Sequence, residues 1–184
     1  MLDQTRPELT LANRIANLKP SPIREILRVI EQPDMISFAG GLPNADSFPT
    51  LSSRIPEKFL QYGPSEGEQT LREKVTDILA TRGLECHSDQ VLILSGSQQG
   101  IDLVAKLLVE PGTTIALEYP TYLAALQVFD LFGANYQRLE HISPQTNLAY
   151  VVPTFQNPTG KCYSSEERQA LAETCDQTGT ILFE

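Results

Sequence analysis

The amino-acid sequence predicts an α/β fold, a mostly parallel sheet with helices on both faces. Two observations carry this prediction. Short apolar runs at 91–94, 114–117, 148–152 and 181–183 alternate with segments whose apolar residues recur at helical spacing. The turns after the first three runs also collect glycine, proline, serine, asparagine and tyrosine. Apolar runs of this length suit strands buried on both faces, and such strands belong to parallel sheets whose crossovers are helices.

The elements follow in order. Ser21-Pro22 reads as a helix start, with serine as N-cap and proline at the first helical position, and Ile23, Ile26, Leu27 and Ile30 continue it. From Ile36 to Pro56 the breakers Gly40, Gly41, Pro43, Asn44, Pro49 and Pro56 predict an irregular loop. Leu71, Val75, Ile78 and Leu79 predict a second helix, and Gly83 stands at its left-handed C-terminal position. Val91-Leu92-Ile93-Leu94 reads as a strand, Ser95–Gly100 as a turn, and Ile101, Leu103, Val104, Leu107 and Leu108 as a helix. The alternation continues with a strand at 114–117, a helix from Tyr122 to Phe132, a strand from Leu148 to Val152, a helix from Ser164 to Gln177 and a strand at 181–183. Ser164 and Glu167 fit a capping box for the last helix. An apolar strand as the final segment leads us to expect a fragment of a longer sheet.

A net charge of −9 and a pI near 4.7 disfavour nucleic acid and anionic membrane surfaces as partners, because a phosphate backbone would be repelled. No signal peptide and no membrane-spanning run is recognisable, so a cytoplasmic protein is expected. Cys86, Cys162 and Cys175 are odd in number and widely spaced, and are read as free thiols. His87 and His141 lack neighbouring ligands, and no metal site is expected.

Three turns could carry chemistry. Ser95-Gly96-Ser97-Gln98-Gln99-Gly100 lies between an apolar run and a helix, where free N–H groups and the helix dipole favour a phosphate; a plain capped helix start would read the same. It is neither a Rossmann G-x-G-x-x-G nor a Walker A loop. Asn157-Pro158-Thr159-Gly160 follows a strand at the edge where ligands of open α/β sheets bind, or is an ordinary turn. Glu118-Tyr119-Pro120-Thr121-Tyr122 offers aromatic faces at the same edge, either to a flat ring or to the sheet itself.

Together with Phe38-Ala39-Gly40-Gly41-Leu42-Pro43 and Gln61-Tyr62-Gly63-Pro64-Ser65-Glu66-Gly67, these motifs resemble the ordered series of fold-type I, class I and II aminotransferases. The similarity runs from about Ser21 to the last residue, and within that family it points to the α-aminoadipate and kynurenine aminotransferase branch. The resemblance implies the large domain of a transferase dependent on pyridoxal 5'-phosphate, truncated here. Residues 1–45 would form an N-terminal helix and substrate-side loop, and residues 46–184 a partial cofactor-binding domain.

Carried over position by position, Ser97 and Gln98 match residues that hold the cofactor phosphate, and Tyr122 matches the aromatic that stacks on its pyridine ring. Asn157 matches the asparagine that hydrogen-bonds the ring's phenolic oxygen. Gly41 matches a glycine beside the substrate carboxylate, Tyr62 a tyrosine that reaches the cofactor of the other subunit in a homodimer, and Arg24 an arginine that meets the substrate side chain. Amino acids and 2-oxo acids are the implied substrates.

The family also needs an aspartate under the pyridine nitrogen, an imine-forming lysine and an arginine clamp, all of which would follow Glu184. Lys19, Lys58, Lys74, Lys106 and Lys161 do not stand in the S-x-x-K setting of that lysine, and Lys161 is read as a surface residue. The chain by itself is therefore expected to be inactive. A lyase or decarboxylase on the same scaffold, or a non-catalytic remnant, is the alternative.

Overall fold

A computed structural model describes residues 11–17, 34, 36, 41, 43–50, 55 and 60–184. The chain divides into two compact units, Pro22–Gln99 and a second made of Met1–Ser21 with Gly100–Glu184. The helix expected after Ser21, and Arg24 within it, lie outside the described residues.

In the Pro22–Gln99 unit, helix α1 spans Gln69–Ala80. The Arg72 guanidinium ties it down, donating to the carbonyls of Gly67 at 3.2 Å and Ser88 at 2.7 Å. Gly83 has φ +83, the left-handed C-terminal residue expected there, and Leu84 N–H closes the helix end on the Leu79 carbonyl. Gly67 is a glycine for two reasons. Its φ is +96, and a Cβ there would overlap the Ile93 side chain, so the chain passes too closely for any larger residue.

The expected strand at 91–94 is not formed. Val91 is extended, but the run has no ladder partner among the described residues, and Ile93 N–H bonds the Glu66 carbonyl instead. An apolar run becomes a strand only where a neighbour takes its N–H and C=O groups.

Helix α2 covers Ser97–Leu108. After it come strand β1 (Thr114–Leu117), helix α3 (Leu123–Leu131), strand β2 (Asn135–Arg138), strand β3 (Leu148–Tyr150), helix α4 (Ser165–Thr178) and strand β4 (Ile181–Phe183). The four strands form one parallel sheet in the order β2-β1-β3-β4. Strand β2 was not expected, because Asn-Tyr-Gln-Arg has no apolar run. Strands β1, β3 and β4 and the helices between them agree with the sequence reading to within two residues.

The period-two alternation of the strands sorts side chains onto two faces. Ile115, Leu117, Leu148 and Tyr150 pack with Ile101 and Ala105 of α2 and with Ala125 and Phe129 of α3. On the other face Ala116 and Ala149 meet Cys175, with Leu171 and Leu182 alongside. Helix α4 is held at both ends. Ser164 and Glu167 form the reciprocal capping box, and Gly179 ends the helix at φ +71.

Phe129 is fully buried, and its ring meets that of Tyr150 edge-on at 5.7 Å. Phe129→Ala is expected to lower the stability of this unit by about 3–5 kcal/mol, measurable as a shift of the urea midpoint with unchanged slope.

Candidate cofactor site

The sheet order places a topological switch between β1 and β3. The chain leaves β1 toward β2 on one side and returns to β3 on the other. In an open α/β sheet the crevice beyond the C-terminal ends at such a point is where ligands bind. Strands β1 and β3 end level there, Leu117 paired with Tyr150.

The segment after β1 is Glu118-Tyr119-Pro120-Thr121, and it delivers Tyr122 as the N-cap of α3. Tyr122 has extended backbone and makes no side-chain cap; its ring is partly buried against the core. Thr121 Oγ1 is buried without a hydrogen-bond partner, an orphaned polar atom in the same turn. Beyond β3, Asn157 opens an exposed turn that runs to Thr159. Both Tyr119-Pro120 and Asn157-Pro158 are cis peptides. Two of the sequence-derived site residues, Tyr122 and Asn157, are thus carried by turns at one edge of one sheet.

Two polar residues that the sequence reading passed over hold these turns. Glu118 is 8% exposed, and its Oε2 accepts the Val152 N–H at 3.0 Å and the Gln156 amide at 3.4 Å. Tyr163 lies close to the same carboxylate, and burial first, then the neighbouring Glu118, pushes its phenol well above the usual range. Gln156 is 3% exposed, with Nε2 donating to the Pro120 carbonyl at 2.8 Å and Oε1 accepting from Thr159 N and Oγ1 at 2.9 and 2.6 Å. Their burial and their pairing emerge only in the fold, and no local sequence signal marks either residue.

A cleft of about 200 Å³ opens beside these turns on the β2 side, lined by Tyr119, Arg138, Glu140, Thr159, Lys161 and Tyr163 among others. The Arg138 guanidinium lies over the Tyr119 ring, 4.8 Å from its centroid. Neither Tyr122 nor Asn157 lines the cleft, so it flanks the turns rather than forming the site. Lys161 is exposed, as expected, and pairs with Glu167 at 2.8 Å.

In the Pro22–Gln99 unit, Gly96 stands at φ +91 and Ser97 opens α2, with Gln98 as its second residue. Both side chains are exposed, and the Ser95 N–H is taken by Gln99 Oε1 at 2.6 Å. Tyr62 is fully exposed, and Gly41 is exposed with φ +57. The cysteines are free thiols, and among the described residues no three His, Cys, Asp or Glu side chains cluster to hold a metal. No described helix is long and apolar enough to cross a membrane.

Residues 35–183 match the family described as aminotransferase class I and II. An aromatic-amino-acid aminotransferase of Thermococcus litoralis is 32% identical over 96% of this chain and 49% of its own length. A 2-aminoadipate transaminase of Thermus thermophilus is 33% identical over 91% of this chain and 47% of its own. Among solved structures, a kynurenine aminotransferase of Pyrococcus horikoshii in complex with PMP superposes with a TM-score of 0.82 at 32% identity, covering 94% of this chain and 50% of the other. The chain thus spans about half the length of the curated relatives it matches.

Tyr150 sits under the site with its phenol pushed up to about 12, first by burial and then by the neighbouring Tyr122 and Glu118. An unfolded tyrosine releases its proton near pH 10, whereas the folded one keeps it until about pH 12. Its contribution to stability is therefore intact below about pH 10, falls by at most about 1.4 kcal/mol per pH unit between about pH 10 and the folded value of about 12, and levels off beyond it. Tyr150→Phe should flatten that part of the alkaline limb in urea unfolding, and an unchanged limb would refute the assignment.

Proposed function

Because the chain belongs to the aminotransferase class I and II family, we propose that it carries the cofactor-holding part of an enzyme that uses pyridoxal phosphate to move an amino group between an amino acid and a 2-oxo acid. The observation that carries this reading is the arrival of Tyr122 and Asn157 on turns beyond two paired strands, at the switch point of the sheet.

The residues present suit the group. Tyr122 offers an aromatic face to a planar pyridine ring. The exposed Asn157 offers an amide donor to a phenolic oxygen. The N-terminus of α2, with Ser97 and Gln98 as its first residues, offers hydroxyl, amide and N–H groups to a phosphate dianion. When bound, pyridoxal phosphate supplies an electron sink that makes the substrate's α-proton removable. This chain's share of that work is to seat the ring, hold its phenolic oxygen as an acceptor and anchor the phosphate.

Gly41 is assigned to the substrate carboxylate. Tyr62 is assigned to the cofactor of the second subunit in a homodimer, and its complete exposure suits a residue that another subunit covers. Arg24 is kept as the substrate side-chain contact on its motif alone. The pyridine-nitrogen partner, the imine lysine and the carboxylate clamp are assigned to positions after Glu184, so transamination is proposed for the whole protein, in the cytoplasm. The named relatives favour amino transfer over the lyase and decarboxylase alternatives.

The test uses the protein expressed from its full open reading frame. Pyridoxamine phosphate is expected to bind it, Tyr122→Ala and Asn157→Ala each to weaken binding by about tenfold, and Tyr122→Phe to bind as the unaltered protein does. Equal affinity in all four would sink the site assignment. Amino transfer to a 2-oxo acid, followed by chromatography of the products, tests the reaction.

A further inference from the structure

Taking the cofactor reading above as its basis, we infer that Gln156 is a positioning residue that locks the turn bearing Tyr122 and the turn bearing Asn157 into one fixed relation. A single buried amide does this with both of its ends. Its nitrogen donates to the carbonyl of Pro120, two residues before Tyr122, and to Glu118 Oε2. Its oxygen accepts the N–H and the hydroxyl of Thr159, two residues after Asn157. The backbone of Gln156 closes the same turn, its N–H bonding the Lys161 carbonyl at 2.8 Å and its carbonyl taking the Gly160 N–H at 2.6 Å.

The direction of the amide is set by its neighbours. The nitrogen faces only acceptors, the Pro120 carbonyl and the Glu118 carboxylate, and the oxygen faces only donors. Glu118 is held in turn by the Val152 N–H, so the lock is tied to the backbone just beyond β3. An apolar side chain at 156 would leave the Pro120 carbonyl and the Thr159 N–H without the partners they now have. Ring stacking by Tyr122 and the hydrogen bond from Asn157 must meet one rigid cofactor ring, so an error in the relation between the turns costs both contacts at once.

The experiment compares Gln156→Leu, Thr159→Val and Thr159→Ser with the unaltered protein from the full reading frame, using pyridoxamine phosphate as the probe. Affinity and the pH dependence of the bound ring's absorption are both read. Gln156→Leu should weaken binding by about tenfold and move the bound ring's phenol pKa toward that of free pyridoxamine phosphate. Thr159→Val should do the same to a smaller degree, about threefold, and Thr159→Ser, which keeps the hydroxyl, should match the unaltered protein. If Gln156→Leu does not fold, Thr159→Val decides alone. Unchanged affinity and ring pKa in the folded variants would overturn the inference while leaving the cofactor reading intact; failure of the unaltered protein to bind the probe would overturn both.

Discussion

The parallel pairing of β1 with β3 is the constraint on which the rest depends. It sets Leu117 level with Tyr150, and everything the two strands carry beyond those residues must emerge at one edge. Alternation along the same strands sends Ile115, Leu117, Leu148 and Tyr150 to the face that α2 and α3 cover, and Ala116 and Ala149 to the face that α4 covers. A slip of one residue would exchange the two faces and bring bulky side chains under α4. The register is therefore a packing decision, and the position of the site follows from it.

At that edge the chain leaves the apolar interior and its polar groups need partners. Glu118 and Gln156 supply them to one another and to the surrounding turns, with the carboxylate receiving the Val152 N–H just beyond β3 and the amide serving a carbonyl and a hydroxyl. Such a network is sensitive to single changes, since each buried group that loses its partner keeps the full cost of its lost hydration. The same network ties the turn before Tyr122 to the turn that holds Asn157.

Much of this was legible in the residues alone. Thr114–Leu117 and Ile181–Phe183 are short apolar runs, and the structure begins and ends both strands as the sequence reading does. Tyr122 and Asn157 stand out in the sequence because they sit in motifs with a fixed order, and the structure carries both on turns at one edge of the sheet. Val91–Leu94 has the composition of a buried strand but lacks a partner among the described residues, and composition reports only a preference for burial. Asn135–Arg138 failed the other way: with β1 as its one neighbour among the described residues it needs no apolar run, and its strand character comes from the ladder alone. Glu118 and Gln156 were overlooked because what makes them matter is a contact across 38 positions of sequence, which no local pattern encodes.

Ala116 and Ala149 form a floor of two methyl groups beneath α4, facing Cys175. Their small size works as a shim gauge for the helix. A valine at either position would add two methyl groups to a fully buried contact, and the strain would fall on the seating of α4. The seating of the helix is in this way gauged from within the sheet, by two of its smallest side chains.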